Sequence, residues 1–322
     1  MARYAGVDLG GTNVRAVVAD ADGEIHGSDT RPVPRGPTGL AVTDAILDCL
    51  RAACSAANAP PETIAAVGVA AAGRLDPTEG IVEPTNIAVD TVPLTGPIAN
   101  LVDTDKVHLH KDVAAGVIGE RYHAERNPAD MVYLTISSGI GAGIAVDGSV
   151  LRGWDSNAGE AGHLTVDPAG RRTCGCGHDG HWEAYCSGAN IPAYARLLWH
   201  DADRPATDLP IEDDGFEAAD VFAHAREDAF AGRIVERLAE WNTMGVANVV
   251  HAYAPLVISI GGAVALENEA LVIDPIRERL DDLVMTNVPE IRLTQLGDDV
   301  VVRGALASAL TGGTGDPADH RG

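Results

Sequence analysis

A short stretch near the middle of the chain, CGCGHDGHWE, concentrates side chains that can bind a metal or react. Cys174, Cys176 and His181 are spaced as C-x-C-x4-H, and thiolate and imidazole are the ligands that zinc prefers. A four-coordinate site needs one further donor, and the candidates are His178 inside the stretch and His163 before it. The spacing alone leaves three interpretations open: a metal site, a reactive loop or a tight turn.

Glycine turns at the ends of strand-like runs form a second group of candidate sites. The first is DLGGTN, which begins at Asp8, and similar turns occur in SSGIGAG, from Ser137, and in the Gly-Gly pair after LVISI. Backbone N–H groups in such turns can hold phosphate oxygens, and a carboxylate such as Asp8 can face a phosphate-bound Mg²⁺ through water. One glycine turn alone is more often purely structural.

Three such turns, however, fit a nucleotide held between domains. The chain has no P-loop motif and no dinucleotide fingerprint after a strand, so both of those nucleotide-binding modes are disfavoured. The predicted nucleotide-binding residues are Asp8, Gly10, Gly11, Thr12, Asn13, Ser138, Gly139, Gly141, Gly261 and Gly262.

Strands and helices with the pattern of an α/β protein position these candidates. The first residues predict a β-meander of strand, glycine turn, strand, Asp-Gly turn and strand. A helix is predicted over Gly39–Ala57, and the short strand VHLH runs into Lys111 and Asp112 before another helical stretch. From about Ala129 the opening plan recurs, which indicates a duplicated domain with a cleft between its halves.

The remainder of the chain is mainly helical around one more strand. Residues 200–215 are acidic and contain proline, which predicts a surface loop. A helical stretch is predicted from Glu217 to Ala252, followed by the strand LVISIGG and by a helix that contains Pro275 and ends near Leu283. RGALASAL predicts a last helix, and the Gly/Pro-rich residues after it are predicted to be disordered.

Composition narrows the classes of function. The formal net charge is −24, and Lys106 and Lys111 are the only lysines, which argues against a nucleic-acid partner because phosphate binding needs a basic face. An acid-rich, lysine-poor surface is typical of proteins adapted to high salt, as in a halophile, and an ordinary acidic cytosolic protein is the alternative.

Five cysteines, an odd number, do not suggest a disulfide framework. With no apolar run that could span a bilayer and no signal-peptide pattern, we expect a cytoplasmic protein without a membrane partner.

The motifs together resemble the ROK sugar kinases and repressors of the actin-like, hexokinase-like ATPase superfamily. The resemblance covers nearly the whole chain, and the motifs that carry it are VDLGGTNVR, KDVAAGVIGE, TISSGIGAGI, GEAGHLTV, CGCGHDGHWEAYCSG and LVISIGGAV. It implies a duplicated, two-lobed α/β fold of the ribonuclease H-like type. The implied domains are a small N-terminal lobe of residues 1–112 with about 300–316, a larger lobe of residues 113–299, and a disordered tail, 317–322. The larger lobe contains the stretch CGCGHDGHWE, which is the family's zinc loop.

The resemblance also implies one structural zinc. In the family the histidine of E-x-G-H and three cysteines bind this ion, and here the third cysteine position is occupied by His181. The implied ligand set is therefore His163, Cys174, Cys176 and His181. Because histidine is itself a common zinc ligand, we expect the ion to be retained, and the alternative is that the substitution has abolished the metal.

Catalytic and sugar-binding residues follow from the same resemblance. Asp112 matches the general base that takes the proton of the attacking sugar hydroxyl, although an aspartate at the start of a helix can also serve only as its N-cap. Lys111 departs from the family, which usually has asparagine there. We expect it to contact a neutral sugar hydroxyl, and the alternatives are that it binds a sugar carboxylate, neutralises transition-state charge or points to solvent. The implied sugar-binding residues are Gly73, Asn86, Lys111, Glu160, His163 and Glu183.

The implied activity is that of an ATP- and Mg²⁺-dependent hexose kinase, with glucose as the leading substrate and the 6-hydroxyl as the acceptor. The alternatives are an N-acetylhexosamine or sugar-acid kinase and a non-catalytic sugar-binding member of the family. Some relatives are repressors with an N-terminal winged helix, and the first strand here begins too early for one. Since relatives are often dimers or tetramers, a homo-oligomer is expected.

Overall fold

The structure is a computed structural model that describes residues 2–36 and 38–320. Its strands are β1 (Arg3–Leu9), β2 (Asn13–Ala19), β3 (Ile25–Pro32), β4 (Ile64–Ala71), β5 (Arg74–Asp76), β6 (Ile81–Glu83), β7 (Val92–Pro93), β8 (Val107–Lys111), β9 (Met131–Ile136), β10 (Ile140–Val146), β11 (Ser149–Val150), β12 (Val257–Gly261) and β13 (Glu290–Leu293).

Its helices are α1 (Gly39–Ala56), α2 (Thr95–Val102), α3 (Asp112–His123), α4 (Glu183–Cys186), α5 (Ile191–Asp201), α6 (Ala218–His224), α7 (Ala229–Tyr253), α8 (Ala263–Glu267), α9 (Glu269–Val272), α10 (Asp274–Arg279) and α11 (Val300–Leu310). None of the helices in the described part of the chain is long and apolar enough to cross a bilayer.

The chain divides into two compact units. The first consists of Met1–Tyr133, Gly143–Gly159 and Gln295–Gly322, and the second consists of Leu134–Ala142 and Glu160–Thr294. The sequence-based boundary at residue 112 differs, because α3 and the residues after it group with the first unit. The cause is close packing of α3 on α11, where a Cβ on Gly304 would overlap the backbone of Ala115.

The main sheet of the first unit has the strand order β3-β2-β1-β4-β8. The predicted meander is confirmed, since β1 pairs antiparallel with β2 and β2 antiparallel with β3. The strands β1, β4 and β8 are parallel to one another. Their carboxyl ends therefore meet at one edge of the sheet, which is where ligands bind in open α/β sheets.

Two layers of helices bury this sheet. The predicted helix at residue 39 is confirmed as α1, whose Ile46 and Leu50 are fully buried in one cluster with Val7 and Val67 of the sheet. The helix α11 also packs closely on the sheet. Gly68 of β4 has no side chain, and a Cβ there would overlap the backbone of Ala305 in α11. Small residues thus let a helix lie directly on the strands that lead to the site.

A second five-stranded sheet has the order β11-β10-β9-β12-β13, and a small three-stranded sheet has the order β5-β6-β7. The strand-turn-strand plan of β1 and β2 recurs in β9 and β10, as the sequence predicted. In the larger part of the second unit, the long helix α7 buries one face, including Leu238 and Val246.

Two predicted helices are divided in the structure. The stretch from Glu217 to Ala252 is broken after α6, because the side chain of Asp228 accepts hydrogen bonds from the backbone N–H groups of Phe230 and Ala231 and so caps the start of α7. The helix predicted around Pro275 is three short helices, α8 to α10, and this proline lies in the first turn of α10, where its missing N–H costs nothing.

The predicted disordered tail is partly ordered. Pro317–Asp319 form a 3₁₀ turn, and the ring of His320 lies 2.7 Å from the hydroxyl of Tyr122 and 2.5 Å from the carbonyl oxygen of Ala21. These contacts anchor the segment to the first unit. Residues 321 and 322, which belong to the same prediction, lie outside the described residues.

Candidate functional site

The glycine turn after β1 is open to solvent in the first unit. The backbone N–H of Gly10 donates to the carbonyl of Asn13 at 3.0 Å and closes the turn, while Gly11 and Thr12 are exposed. A Cβ on Gly11 would lie 2.8 Å from the Cβ of Asn86, so the predicted sugar residue packs directly on the predicted phosphate turn. Glycine is needed at this contact because any side chain would displace one of the two segments.

A pair of carboxylates lies beside this turn. Burial and the neighbouring carboxylate of Asp112 raise the pKa of Asp8 to about 7, and Arg15 acts in the opposite direction. Such a shift arises when a carboxylate is desolvated close to a second negative charge. Two neighbouring carboxylates next to exposed N–H groups fit a phosphate-bound Mg²⁺, which typically takes one or two carboxylates together with phosphate oxygens.

Asp112 is the first residue of α3, one position later than the alternative N-cap role requires. Lys111 occupies the N-cap position and makes no capping bond with its side chain, whereas Asp112 Oδ1 accepts a hydrogen bond of 2.8 Å from the backbone N–H of Val113. The N-terminus of a helix carries a partial positive charge, and the carboxylate of Asp112 lies at this end of α3. A carboxylate is one of the groups that serve as a general base.

Lys111 ends β8 and pairs in register with Ala71. Its side chain is buried, with 7% of the residue exposed, and it lines a small cavity together with Leu75 and Arg152. Gly73, the other sugar residue predicted in this region, has a φ of +136°, and a Cβ there would overlap the backbone of Glu83. The structure therefore brings Asp8, Gly10, Gly11, Asn86 and Asp112 together in the first unit.

In the second unit the turn between β9 and β10 is held by Glu183. The backbone N–H of Ser137 donates to the carbonyl of Gly139 at 2.9 Å, and Glu183 Oε2 accepts from the N–H of Ile140 at 2.8 Å. A Cβ on Gly139 would lie 2.8 Å from the same carboxylate oxygen. Sequence reasoning assigned Glu183 only to the sugar, and its structural contact with the turn was missed because the two are remote in the chain.

Gly141 and Gly262, two other predicted nucleotide-binding glycines, lie outside the turn between β9 and β10. Gly141 is the second residue of β10 and not part of the turn itself. Gly262 has a φ of +89° and stands at the N-cap of α8, directly after Gly261 at the end of β12. A Cβ at Gly262 would lie 2.5 Å from the carbonyl oxygen of Ile136, so only glycine allows this close approach of the two segments.

A cavity of about 470 Å³ opens in the second unit beside this strand end. Its volume is in the range that small-molecule sites occupy. Sequence analysis missed it, because part of its wall comes from the acidic segment that was predicted to be only a surface loop. Lining residues include Gly188, Pro192, Asp214, Phe216, Ala263 and Val264.

The four predicted metal ligands converge in the second unit. The ligand atoms of His163, Cys174, Cys176 and His181 all lie within 4.8 Å of one another. Cys176 Sγ lies 3.2 Å from His181 Nδ1, and Cys174 Sγ lies 3.6 Å from His163 Nδ1. Tetrahedral zinc places its donors roughly 3–4 Å apart, so this group of two thiols and two imidazoles fits the ion.

His178, the other candidate donor in the loop, is exposed, and its Nδ1 lies 3.7 Å from Cys176 Sγ. Hydrogen bonding from the backbone N–H of His178 lowers the pKa of Cys176, which favours the thiolate that a metal binds. On the other side of the cluster, His163 Nε2 lies 3.7 Å from Glu160 Oε2. His163 thus faces the thiol of Cys174 with one nitrogen and a predicted sugar carboxylate with the other.

Buried aromatic residues pack beside the loop that carries the four candidate ligands. Trp182 is fully buried, and its indole N–H donates to Asn242 Oδ1 at 2.9 Å. The hydroxyl of Tyr185 donates to Asp167 at 2.7 Å. Cys186 is also buried. These contacts fix the loop against α7 without using any of the four candidate ligands.

Comparison with known proteins identifies the family. The ROK family profile matches residues 4–311. A glucokinase from Pyrobaculum calidifontis is 33% identical over 316 residues, which is 96% of this chain and 95% of that protein.

Two solved structures are similar over nearly the whole chain. A ROK hexokinase from Thermus thermophilus has a TM-score of 0.78 and 29% identity, covering 95% of this chain and 97% of its own. A ROK glucokinase from Streptomyces griseus, in complex with glucose and AMPPNP, has a TM-score of 0.75 and 30% identity. The match covers 95% of this chain and 99% of that structure's chain. The fold is the actin-like, hexokinase-like α/β kinase fold. The chain belongs to the ROK family.

Proposed function

We propose that this chain is an ATP-dependent hexose kinase that transfers the γ-phosphate to the 6-hydroxyl of the sugar, with glucose as the leading substrate. The observation that carries the proposal is the pairing of Asp8 with Asp112 beside the exposed glycine turn in the first unit. Similarity to glucokinases over nearly the whole chain supports the same activity.

Asp112 is the proposed general base. It accepts the proton of the sugar hydroxyl as that oxygen attacks the γ-phosphorus, and it lies at the start of α3, where the helix N-terminus carries a partial positive charge. Because phosphoryl transfer passes through a loose transition state, positioning and neutralisation of charge matter more than a strongly basic carboxylate. Mg²⁺, when bound, supplies that neutralisation, and Asp8 is the residue proposed to hold it through water.

Backbone N–H groups are the proposed phosphate ligands. In the first unit they come from Gly11, Thr12 and Asn13, in the turn that the N–H of Gly10 closes, and in the second from Ser138 and Gly139. The adenosine part of ATP is proposed to occupy the 470 Å³ cavity next to Gly261 and Gly262, since its size suits a nucleoside.

The sugar hydroxyls are proposed to contact carboxylate and amide groups of both units. In the first unit these are Asn86 and the backbone near Gly73, and in the second they are Glu160, His163 and Glu183. Each carboxylate can accept hydrogen bonds from two hydroxyls, which suits a polyol. Lys111, which is buried at the end of β8, is also proposed to contact the substrate.

A structural zinc ion is proposed on His163, Cys174, Cys176 and His181. The convergence of two sulfur and two nitrogen donors supports it. The ion would close the loop and fix His163, whose other nitrogen faces Glu160.

Three further properties are proposed from the sequence. The acidic surface, with a net charge of −24 and two lysines, supports adaptation to high salt. A cytoplasmic location and a homo-oligomeric state, as a dimer or tetramer, are proposed on the resemblance to the family.

A coupled assay of ADP release tests the activity. Glucose, mannose, N-acetylglucosamine, N-acetylmannosamine and a sugar acid are each offered with ATP at low and at molar salt. We expect the highest kcat/KM with glucose. A preference for an amino sugar or a sugar acid would overturn the glucose assignment, and sugar binding without ADP release would indicate a non-catalytic member of the family.

A further inference from the structure

Trp154 is the most exposed large apolar side chain in the described part of the molecule. It is 99% exposed, whereas Trp182 is fully buried. The other tryptophans are half-buried and hydrogen-bonded: the indole N–H of Trp199 donates to the carbonyl of Pro205 at 2.9 Å, and that of Trp241 to the hydroxyl of Tyr194 at 2.8 Å. An indole is among the largest apolar surfaces a residue can bury, so a ligand that covered Trp154 would gain a large apolar contact.

The loop that carries Trp154, Leu151–Ala158, is held firmly at both ends. Near its start, the guanidinium of Arg152 donates to the carbonyl of Gly313 at 2.8 Å. Near its end, Asn157 Oδ1 accepts from the backbone N–H of Leu75 at 3.1 Å, and Asn157 Nδ2 donates to the carbonyl of the same residue at 3.3 Å. The exposure of Trp154 is therefore a property of an anchored loop.

The backbone on either side of Trp154 has a conformation that holds the indole away from the rest of the loop. Gly153 and Ser156, on either side of the Trp154-Asp155 pair, have φ values of +72° and +64°. A left-handed backbone is unfavourable for a non-glycine residue such as serine. The chain is thus turned outward at both sides of the indole, so that Trp154 does not fold back onto its own loop.

The same loop borders the strand end that carries the proposed base, and all of these residues belong to the first unit. Leu151, Arg152 and Ser156 line a small cavity with Lys111, which directly precedes Asp112. Leu75, to which Asn157 is bonded, follows Gly73 by two residues. The loop is therefore tied to two segments that the proposed function assigns to the sugar.

We propose that Trp154 is a specificity-determining residue that covers the bound sugar, with its indole stacked on an apolar C–H face of the pyranose ring. This inference rests on the proposed sugar kinase activity. A pyranose offers a flat apolar face as well as hydroxyls, and a rigid aromatic ring can bury that face without competing for the hydroxyl hydrogen bonds. The indole loses its exposure only when the sugar is present, so the gain is specific to the complex.

The test compares the wild-type protein with the Trp154→Ala and Trp154→Phe variants, and Trp199→Phe is the matched control. Acrylamide quenching of tryptophan fluorescence is measured with and without glucose, in the absence of nucleotide. We expect glucose to protect the wild-type protein and the Trp199→Phe variant from quenching, and we expect this protection to be lost in Trp154→Ala. Because the side chain contacts solvent, its removal leaves the fold intact.

Steady-state kinetics supply the second measurement. Loss of one aromatic contact corresponds to roughly a three- to tenfold increase in KM for glucose in Trp154→Ala, with kcat little changed and with partial recovery in Trp154→Phe. An unchanged KM together with unchanged quenching protection would overturn the proposal. So would a fall in oligomeric mass by sedimentation in Trp154→Ala, since that result would assign the indole to an interface between copies of the chain.

The two proposals fail in distinguishable ways. A wild-type protein that releases no ADP with any sugar contradicts the kinase assignment, and the quenching measurement with glucose still decides whether Trp154 contacts a sugar. A wild-type protein that phosphorylates glucose while Trp154→Ala matches it in KM and in quenching contradicts only the role of Trp154.

Discussion

The two carboxylates that are proposed to take part in phosphoryl transfer have different surroundings. Asp8 lies within β1 and has a neighbouring negative charge, while Asp112 lies at the start of α3. The proposed function gives these two residues of the same type different roles, one facing a bound cation and the other accepting a proton.

Replacement of Asp112 by asparagine tests the base directly. We expect kcat to fall by ~10²–10⁴-fold, because a positioned general base contributes a factor of that size, with glucose affinity and melting temperature nearly unchanged. Asp44→Asn, at an exposed position on α1, is the matched control and should keep full activity. Near-wild-type turnover in Asp112→Asn would show that this carboxylate serves only the helix.

Asp8 should make the stability of the nucleotide-free protein depend on pH. Its folded pKa of about 7 lies above the ordinary value of 3.8, so the folded state binds the proton more tightly than the unfolded state. The contribution to stability is fully present below pH 3.8 and is lost as pH rises through 7.

Urea unfolding of wild-type and Asp8→Asn protein from pH 5 to pH 8, without nucleotide or Mg²⁺, measures this effect. The wild-type protein should lose stability relative to the variant as pH rises, because asparagine stays neutral. A difference between the two proteins that does not change with pH would contradict the raised pKa.

At the scale of elements, the loop that carries the proposed zinc ligands is a segment with little helix or strand of its own. The loop contains little regular structure, and isolated bridges join Thr165 to His181 and Thr173 to Asp179. A closed metal site would add folding energy to that of the turn hydrogen bonds in the loop, such as the one from the N–H of Cys174 to the carbonyl of His178.

Two histidine variants separate the proposed ligand from its neighbour. His181→Ala should reduce the zinc content well below one ion per chain and lower the melting temperature, because a four-coordinate site loses one donor. His178→Ala should retain both, since this exposed residue lies outside the proposed set. Metal analysis and thermal melts measure the two effects, and the opposite pattern would make His178 the ligand.

The contact between α3 and α11 is the second feature at this scale. Gly304 leaves no room for a side chain against Ala115, and α3 carries Asp112 at its start. Gly304→Ala should therefore destabilise the protein by about 1–3 kcal/mol, as overpacking usually does, and should also reduce activity.

Gly96→Ala is the control for this substitution. Gly96 lies in α2, and a Cβ there would meet no atom within 4 Å. Because alanine favours a helix more than glycine does, this variant should be as stable as wild type or slightly more stable. Chemical denaturation compares the two, and equal stability of both variants would contradict the close packing of α3 on α11.

The whole molecule is dominated by its charge. There are 47 acidic residues against 23 lysines and arginines, and this excess repels itself at low ionic strength. The ion pairs in the described residues are mostly between arginine and surface carboxylates, and such pairs contribute little individually.

We expect the melting temperature to rise between dilute buffer and molar KCl, because the screening length falls to about 3 Å at 1 M salt. A KCl series measured by differential scanning fluorimetry tests this, and sucrose of equal osmolarity is the control for non-ionic effects. No change with KCl would remove the support for adaptation to high salt.

Local pattern was sufficient for much of the fold and part of the site. The glycine turn after β1, the helix at residue 39 and the repeat of the opening plan in β9 and β10 follow from periodicity and turn residues that are adjacent in the chain. The convergence of His163, Cys174, Cys176 and His181 was implied by the resemblance to the family, because the spacing alone left the fourth donor open between His163 and His178.

Tertiary structure decided what depends on residues that are remote in sequence. Glu183 reaches the turn at Ile140, Asn86 packs on Gly11, and α3 groups with α11 only because the chain folds back on itself. The cavity beside Gly262 combines segments that are individually unremarkable, and the indole of Trp154 is exposed because both ends of its loop are bonded elsewhere. Periodicity and motif spacing report on a residue's near neighbours, whereas these features arise from close packing between distant segments, which no local pattern encodes.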